Sequence, residues 1–295
     1  MSRYSNKQLI INNTMKKIIL FALAALVAFP QMSDARKKES DGLKVMSYNI
    51  RMGVGEDGTN SWQYRWPATI EMLRELKPDV FGVQEAYDFQ VNLVSEYANN
   101  YKNAGVGRED GKKEGEHMSI FWNKKTIKMI KWGTFWLSET PEKPSMGWDA
   151  ACYRTATWAL MKDKETGRKF YFVNTHLDHV GAEAQKNGLK LIVDRIASIN
   201  PEGYPMVLTG DFNVRPDNAS LVDLDKIMTS TRKIAKKTDN KGTFNGWRKD
   251  REGSVIDYIY VSGFSNVPVY ETITKEYAKK PFISDHYPVM SILEF

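Results

Sequence analysis

Several short stretches place side chains capable of acid–base or metal chemistry directly after apolar runs. In Leu208-Thr-Gly-Asp-Phe-Asn213, the residues Asp211 and Asn213 follow the apolar run 206–208. If strand geometry persists, this spacing puts both side chains on one face of the strand end. A carboxylate can orient or deprotonate a water, and a carboxamide can hydrogen-bond a phosphate oxygen or that water. A strand that runs into an Asx turn is the alternative interpretation.

Polar residues of the same kinds recur at other predicted strand ends. The full set is Asn49, Glu85, His176, Asp178, Asp211, Asn213, Asp257, Asp285 and His286. Carboxylates, amides and histidines without thiols suit Mg²⁺, with Mn²⁺ as the alternative, and Glu85 with Asp285 or Asn49 would suffice because waters and substrate complete the shell. Asp257 lies in an apolar strand, where a carboxylate is costly unless paired, and His286 is the natural partner.

Two further residues and several absent motifs narrow the kinds of chemistry that this chain could perform. Arg154 is either a phosphate-binding group or an ordinary ion pair of a hairpin, and we place it with Asp178 on the substrate side of the site. Cys152 is the only cysteine, which excludes an internal disulfide and a cysteine-based zinc cluster, and we expect it to be a buried structural thiol. The sequence has no G-x-S-x-G, P-loop or dinucleotide-binding glycine motif.

The first elements of the fold are predicted to bring two of these residues together. Alternating residues in 43–50 predict a strand that ends at Asn49, and Trp66-Pro67 begins a helix that stops before Pro78. The apolar run 79–85 then predicts a strand that delivers Glu85. A strand–helix–strand unit of this length is a right-handed crossover, so Asn49 and Glu85 should lie at neighbouring strand ends.

The remaining pattern alternates strands, loops and helices. It predicts a helix over 88–97, a surface loop over 99–116, paired strands at 117–122 and 134–137, a hairpin of 154–161 with 168–175, an amphipathic helix over 182–199, and strands at 206–211, 255–261 and 287–293. We find no internal repeat and no linker that would split this part of the chain. One domain over 43–295 follows.

The N-terminus has the pattern of a secretory signal. Two lysines follow Met15, an apolar run covers 18–29, and small residues precede Ala35. Twelve apolar residues are short for a membrane span and are flanked as in a signal peptide. We therefore predict an N-terminal extension and signal over 1–35, with cleavage near Ala35 and a charged leader over 36–42.

Several alternatives about this end of the chain stay open. Translation starts at either Met1 or Met15, and an uncleaved membrane anchor is the alternative to a signal peptide. After cleavage we expect a secreted or periplasmic monomer without a transmembrane segment.

Six motifs in order resemble one known family. They are S-Y-N-I-R around Asn49, G-V-Q-E ending at Glu85, N-T-H-L-D around His176, G-D-F-N at 210–213, I-D-Y-I around Asp257 and S-D-H at 284–286. Their order and spacing over 43–295 resemble the endonuclease/exonuclease/phosphatase family. The resemblance implies an α/β fold with a four-layer α/β/β/α sandwich, in which two mixed sheets pack face to face between helices. It also implies hydrolysis of a phosphoester by direct attack of an activated water.

The resemblance assigns roles to these residues. It implies that Glu85, Asn49 and Asp285 hold the metal and that His176, Asp211, Asn213, Asp257 and His286 are catalytic. Asp211 and Asn213 would align the water, and His176 would contact the phosphate. His286, paired with Asp257, would act either as the base or as a cation that stabilises the pentavalent phosphate. We favour the cationic role, with Asp211 as a base that stays ionised down to low pH.

The substrate is less narrowly defined. Without residues 1–35 the chain has 38 basic and 35 acidic side chains, a net charge of +3, which is small for a nuclease. The aromatic loop 136–148 fits a compact or amphiphilic substrate. We therefore expect a Mg²⁺-dependent enzyme for a small-molecule or lipid phosphoester. The alternatives are a secreted nuclease for DNA or RNA, and a binding protein that kept this fold without catalysis. Arg51 stands where apurinic-site endonucleases carry an acidic residue, so the number of metal ions that the site binds, one or two, stays open.

Overall fold

A computed structural model describes residues 42–249 and 253–295. The predicted signal peptide, its cleavage site and nearly all of the predicted leader lie outside these residues and stay predictions. The strands are β1 (Leu43–Asn49), β2 (Val80–Gln84), β3 (Tyr101–Ala104), β4 (Ile120–Asn123), β5 (Ile127–Trp136), β6 (Thr155–Asp163), β7 (Lys169–His176), β8 (Met206–Asp211), β9 (Thr229–Ser230), β10 (Asp257–Ser262), β11 (Asn266–Thr272) and β12 (Val289–Glu294). The helices are α1 (Trp62–Leu76), α2 (Asp88–Tyr97), α3 (Ala182–Ile199), α4 (Val222–Ile227) and α5 (Thr231–Ile234).

These strands form two six-stranded sheets. The first has the order β11-β12-β1-β2-β4-β3 and the second β5-β6-β7-β8-β10-β9. Each sheet contains one parallel pair, β1 with β2 and β7 with β8, and the other neighbours are antiparallel. Both mixed sheets therefore carry a parallel pair whose carboxyl ends can deliver side chains to one edge. None of the helices in the described part of the chain is long and apolar enough to cross a membrane.

Alternation along the strands produces the layers. On β1, Val45 packs in the cluster between the sheets, and its neighbour Met46 packs in the cluster beneath α1 and α2. On β8, Val207 faces the space between the sheets, and Leu208 packs in the cluster that contains the buried face of α3. Both faces of each sheet are thus covered by apolar side chains. The predicted α/β/β/α sandwich is confirmed.

A polar bridge interrupts the apolar space between the sheets near the strand ends. Gln84 Nε2 donates to Asn174 Oδ1 over 2.6 Å, and Thr209 Oγ1 donates to the same oxygen over 3.0 Å. Asn174 Nδ2 in turn donates to the backbone oxygen of Val83 over 2.8 Å. A Cβ atom on Gly82 would lie 2.2 Å from Asn174 Oδ1, so only glycine admits this approach. These buried bonds fix the two sheets against each other beside the site.

Several predicted elements are confirmed at or near their expected bounds. The strand to Asn49, the helix over 88–97, the hairpin of β6 with β7, the helix over 182–199 and the strand over 206–211 are all present. Helix α1 begins at Trp62, four residues before the predicted start. Pro67 lies inside the first turns, where a missing N–H removes only one intrahelical bond. Residue Asp257 begins β10 and does not lie inside it.

Other predictions are wrong. Residues 99–116 were expected to be a surface loop, but they contain β3, which pairs with β4. The expected pairing of 117–122 with 134–137 does not occur, because β4 lies in the first sheet and β5 pairs with β6 in the second. The short turn between β4 and β5 carries the chain from one sheet to the other, and a local pattern of alternation holds no information about that choice. The edge strand β11 was missed.

Candidate active site

The parallel pairs of the two sheets bring the predicted residues to one edge. Asn49 ends β1 next to the end of β2, and His176 ends β7 opposite Asp211 at the end of β8. Asp257 is also paired with Asp211, because the antiparallel strand β10 starts at this edge. Asn49 Nδ2 donates to Glu85 Oε1 and to Asp211 Oδ2, each over 3.0 Å. One carboxamide thus joins the two sheets at the centre of the site.

Glu85 is held as an ionised carboxylate. It follows β2 with a φ of 62°, and its second oxygen accepts the backbone N–H of Met52 over 3.1 Å. Burial opposes its ionisation, but the charge of His286 and the bond from Asn49 outweigh it and lower the pKa of Glu85 below its usual value. A residue in the left-handed region is strained unless its surroundings hold it, and here two bonds do so.

Two of the three predicted metal ligands, Glu85 and Asp285, lie beside a guanidinium. Arg51 Nη1 lies 3.7 Å from Glu85 Oε2, and Arg51 Nε lies 3.9 Å from Asp285 Oδ2. The same guanidinium makes two bonds of 3.1 Å to Asp57. Glu85 and Asp285 therefore face a region that already attracts positive charge. Carboxylate oxygens beside a carboxamide form a donor set that fits a hard divalent cation.

His286 and Asp257 form the predicted pair. His286 Nδ1 lies 2.9 Å from Asp257 Oδ2, and both side chains are buried. Burial disfavours the charged ring, but Asp257 and Asp211 outweigh it and raise the pKa of His286 to about 10. The other ring nitrogen, Nε2, lies 3.7 Å from Asp211 Oδ2. The imidazolium therefore points towards the group that was predicted to align the water.

Asp211 differs from the expectation in two respects. The strand ends at Asp211, and Asn213 has a φ of 52° and donates its N–H to Asp211 Oδ1 over 2.9 Å, so the Asx turn replaces continued strand geometry. Burial and the charge of Asp257 raise the pKa of Asp211 to about 7. The expectation that this carboxylate stays ionised down to low pH is therefore wrong, because the burial of a side chain cannot be read from the local sequence.

The turn also fixes a histidine. Asn213 Nδ2 lies 3.0 Å from His176 Nε2 and donates to the backbone oxygen of Leu177 over 3.0 Å. Burial and the nearby charges of Arg154 and Arg108 hold the pKa of His176 well below its usual value, so its ring is neutral. Because Asn213 donates to Nε2, the proton of the neutral ring resides on Nδ1.

Arg154 and Asp178 are joined as a pair. Asp178 Oδ2 accepts from Arg154 Nε over 3.3 Å, and Arg154 Nη2 lies 3.0 Å from His179 Nδ1. Burial opposes the ionisation of Asp178, but backbone N–H groups of Gly181 and Val180 outweigh it and lower its pKa to about 2. Both carboxylate oxygens of Asp178 thus accept hydrogen bonds from protein groups, and the side chain orients Arg154. Its contact with substrate stays a prediction.

A cleft of about 380 Å³ collects these groups and adds others that the sequence did not reveal. Its lining residues include Glu85, Arg154, His176, His179, Asp211, Asn213, Asp285, His286, Arg51, Arg108, Glu116, Cys152 and Phe244. Arg108 and Glu116 come from the segment that was expected to be a surface loop, yet both are buried. Cys152 is half-buried and lines the cleft, so the expectation of a buried structural thiol is wrong.

A second pocket of about 640 Å³ adjoins the cleft through shared residues. It is lined by Arg51, Asp57, Phe244, Gly246, Trp247, Arg248 and Asp285. The backbone N–H groups of Asn245 and Gly246 both donate to the backbone oxygen of Asp285. These bonds join the loop 244–247, which carries Phe244 and Trp247, to the site. Residues 136–148 line neither of these two described cavities. Trp136 is instead buried, and its indole N–H donates to the backbone oxygen of Arg108.

The sandwich and its polar edge define a class of phosphoester hydrolases. Residues 46–286 match the sequence profile of the Endonuclease/Exonuclease/phosphatase family, and the chain belongs to this family. Members of the family hydrolyse phosphoesters with divalent metals, so the chain is a metal-dependent phosphoric ester hydrolase.

Three solved structures are similar to this chain. The mannosyl-6-phosphatase Bt3783 of Bacteroides thetaiotaomicron is 35% identical, with a TM-score of 0.82, over 86% of this chain and 100% of that one. A family protein from Bacteroides vulgatus is also 35% identical, with a TM-score of 0.80, over 86% of this chain and 98% of that one. A zebrafish (D. rerio) TDP2 complexed with single-strand DNA product is 17% identical, with a TM-score of 0.68, over 86% of this chain and 99% of that one, and shares the fold alone.

Proposed function

We propose that this protein is a secreted, Mg²⁺-dependent phosphoesterase that hydrolyses a small phosphorylated molecule, with a sugar phosphate as the leading candidate. The observation that carries the proposal is the cleft in which Glu85, Asp211 and His286 converge beside buried guanidinium groups. The relative named as a mannosyl-6-phosphatase supports a sugar phosphate, because it matches over its whole length.

The roles of the residues follow from their contacts. A divalent cation held by Glu85 and Asp285, with Asn49 beside them, would neutralise charge on the phosphate oxygens. Asp211, once ionised, accepts a proton from the water that Asn213 helps to align.

Two histidines complete this arrangement. His286, protonated and held by Asp257, donates from Nε2 towards the developing negative charge of the pentavalent phosphate. His176, whose proton lies on Nδ1, would donate a neutral hydrogen bond to the bound phosphate. In this assignment Asp211 is the base and His286 is the cationic stabiliser.

The pocket beside the cleft supports a compact, polar leaving group. Trp247 contributes an aromatic face, and Asp57 and Arg248 contribute hydrogen-bonding groups. A sugar ring presents both apolar C–H faces and hydroxyl groups, which match such a lining. The aromatic surface comes from the loop 244–247 and not from residues 136–148. The preference for a small substrate therefore rests on a different part of the chain than the sequence indicated.

Two other functions stay as alternatives. A nuclease would use a basic stripe along the cleft, but the lysine pairs 112–113, 236–237 and 279–280 are separated and the net charge without residues 1–35 is only +3. A binding protein that has lost catalysis would have lost part of the polar set, and here each position is filled.

Export is supported by the basic and apolar pattern of residues 15–35.

A substrate panel tests the proposal. The wild-type protein is assayed with a hexose 6-phosphate, its methyl phosphodiester, single- and double-stranded DNA, RNA and sphingomyelin, with Mg²⁺ or with excess chelator. We expect phosphate release from the hexose 6-phosphate, and only when Mg²⁺ is present. Cleavage of DNA or RNA with steep salt dependence, without activity on the small esters, would favour the nuclease. Activity on none of the substrates would favour the binding protein.

A further inference from the structure

Three buried nitrogen atoms beside the cleft have no hydrogen-bond partner in residues 42–249 and 253–295. They are Nη1 of Arg154, Nε of Arg108 and Nδ1 of His176. The residues Arg154 and Arg108 are only 5% and 9% exposed, and all three line the cleft of about 380 Å³. A buried donor without an acceptor costs free energy, so three such donors at one cavity indicate a ligand that accepts hydrogen bonds.

The two guanidinium groups are held in place by separate contacts. Arg108 Nη1 donates to Glu116 Oε2 over 2.6 Å, and the backbone oxygen of Arg108 accepts the indole N–H of Trp136 over 2.6 Å. Arg154 donates to Asp178, as described above, and its Nη2 meets His179. Each arginine thus uses part of its guanidinium for orientation and keeps one buried nitrogen without a hydrogen-bond partner. Donors that are ordered before a ligand arrives lose little entropy on binding.

The charge at this end of the cleft identifies the ligand. Burial, with the charges of Arg154 and Arg108 added to it, lowers the pKa of His176 and keeps its ring neutral, although Glu116 Oε2 lies 3.9 Å from its Nδ1. Guanidinium groups bind carboxylate and phosphate oxygens with planar, charge-assisted hydrogen bonds. The second ionisation of a phosphate monoester has a pKa of about 6, so the group is largely a dianion at neutral pH. A diester has one fewer ionisable oxygen and carries a single charge.

We propose that Arg108 and Arg154 form a seat for the terminal oxygens of a dianionic phosphate, and that this seat makes the enzyme a phosphomonoesterase. The inference rests on the proposed function, whose sugar phosphate is a monoester, and assigns the residues that select a monoester over a diester. A diester would place its second ester group, in place of a charged oxygen, against the buried donors of Arg108 and Arg154. These donors would then lack a charged acceptor. Arg108, which no motif identified, is thereby a specificity-determining residue.

The experiment compares a hexose 6-phosphate with its methyl phosphodiester. Arg108→Gln alone would leave Glu116 buried without its partner, which threatens folding. The double variant Arg108→Gln/Glu116→Gln removes both charges together, and Arg108→Lys keeps the ion pair but loses the Nε donor. Arg168→Gln, in the exposed turn between β6 and β7, is the matched control. Circular dichroism and thermal unfolding select variants that fold.

Two readouts are measured for each folded variant. The first is the ratio of kcat/KM for the monoester to kcat/KM for the diester. We expect this ratio to fall by about tenfold to a hundredfold in the double variant and in Arg108→Lys, the range for losing a hydrogen bond to a charged group. The second is the binding of inorganic phosphate by calorimetry with chelator present, which should weaken in the same variants. Arg168→Gln should behave as the wild type in both.

The outcomes separate this inference from the proposed function. Equal loss of activity towards monoester and diester, with unchanged phosphate binding, would overturn the seat while the phosphoesterase stands. If the wild type hydrolyses neither ester, the proposed function fails, and phosphate binding alone decides the seat. Binding by the wild type that is lost in the double variant would then support the seat, whereas no binding by the wild type, or equal binding by both, would overturn it.

Discussion

The pair of His286 and Asp257 gives the sharpest prediction about mechanism. Asp257 Oδ2 lies 2.9 Å from His286 Nδ1 in a buried site, and this carboxylate is a main cause of the raised pKa of His286. The protonated ring is therefore kept until the pH rises through that pKa, and activity that needs the imidazolium falls on the alkaline side. Asp257→Asn keeps the shape and removes the charge. An opposite charge at this distance moves a pKa by about one to three pH units, so the alkaline limb should move down by that amount.

The acid limb has its own expected behaviour. Asp211 must be ionised to act as the base, and burial with the charge of Asp257 raises its pKa to about 7. Activity should therefore fall as the pH drops through about 7. Because Asp257→Asn removes one cause of this shift, the acid limb should also move to lower pH in the variant.

The assay is the pH dependence of kcat/KM for the best small ester from about pH 5 to about pH 11.5 at fixed Mg²⁺, so that both limbs of the wild type lie inside the range. Asp223→Asn on the surface of α4 serves as the control and should leave both limbs in place. An alkaline limb that does not move in Asp257→Asn would refute the cationic role. His286 would then be the general base.

Three further predictions concern stability, catalysis and export. Arg65 is fully buried and donates to the backbone oxygens of Asn60, Ile50, Ile283 and Arg51. Arg65→Met should lower the free energy of unfolding by about 3–5 kcal/mol in urea denaturation, whereas Arg74→Met on the exposed side of α1 should change it little. His286→Ala should reduce kcat at least about a hundredfold in protein that circular dichroism shows to be folded, and a smaller loss would remove it from the catalytic set. Intact mass of exported protein should show a start near residue 36, and a start well before residue 30 would contradict signal cleavage.

The sequence predicted the strand ends because their information is local. A short apolar run followed by Asn49, Glu85 or Asp211 shows where a strand ends and what it delivers, and the parallel pairing then brings the ends together. The pairing of His286 with Asp257 was also predictable, since a carboxylate in an apolar strand needs a partner. These parts of the site depend on residue type and position along the chain.

The remainder depends on tertiary packing. Arg108 and Glu116 belong to a segment rich in glycine and charged residues, a composition typical of a surface loop, yet both are buried and paired with each other. The same holds for the pKa of Asp211, which is set by burial between two sheets. The sheet to which β5 belongs could not be predicted either. Alternation of apolar and polar residues shows which face of a strand is buried, but it does not show which strand lies next to it.

The measurement that tests the account most directly is phosphate release from a hexose 6-phosphate by wild type and Glu85→Gln, across a Mg²⁺ titration that begins in excess chelator. The variant keeps the shape of the side chain and can accept one of the two bonds from Asn49 and Met52, but it removes the charge that would face the cation. We predict release that requires Mg²⁺ in the wild type, loss of most activity and weaker Mg²⁺ dependence in Glu85→Gln with its fold intact, and wild-type behaviour in the control Glu271→Gln. Full activity of the wild type in chelator, or of Glu85→Gln at low Mg²⁺, would contradict the account.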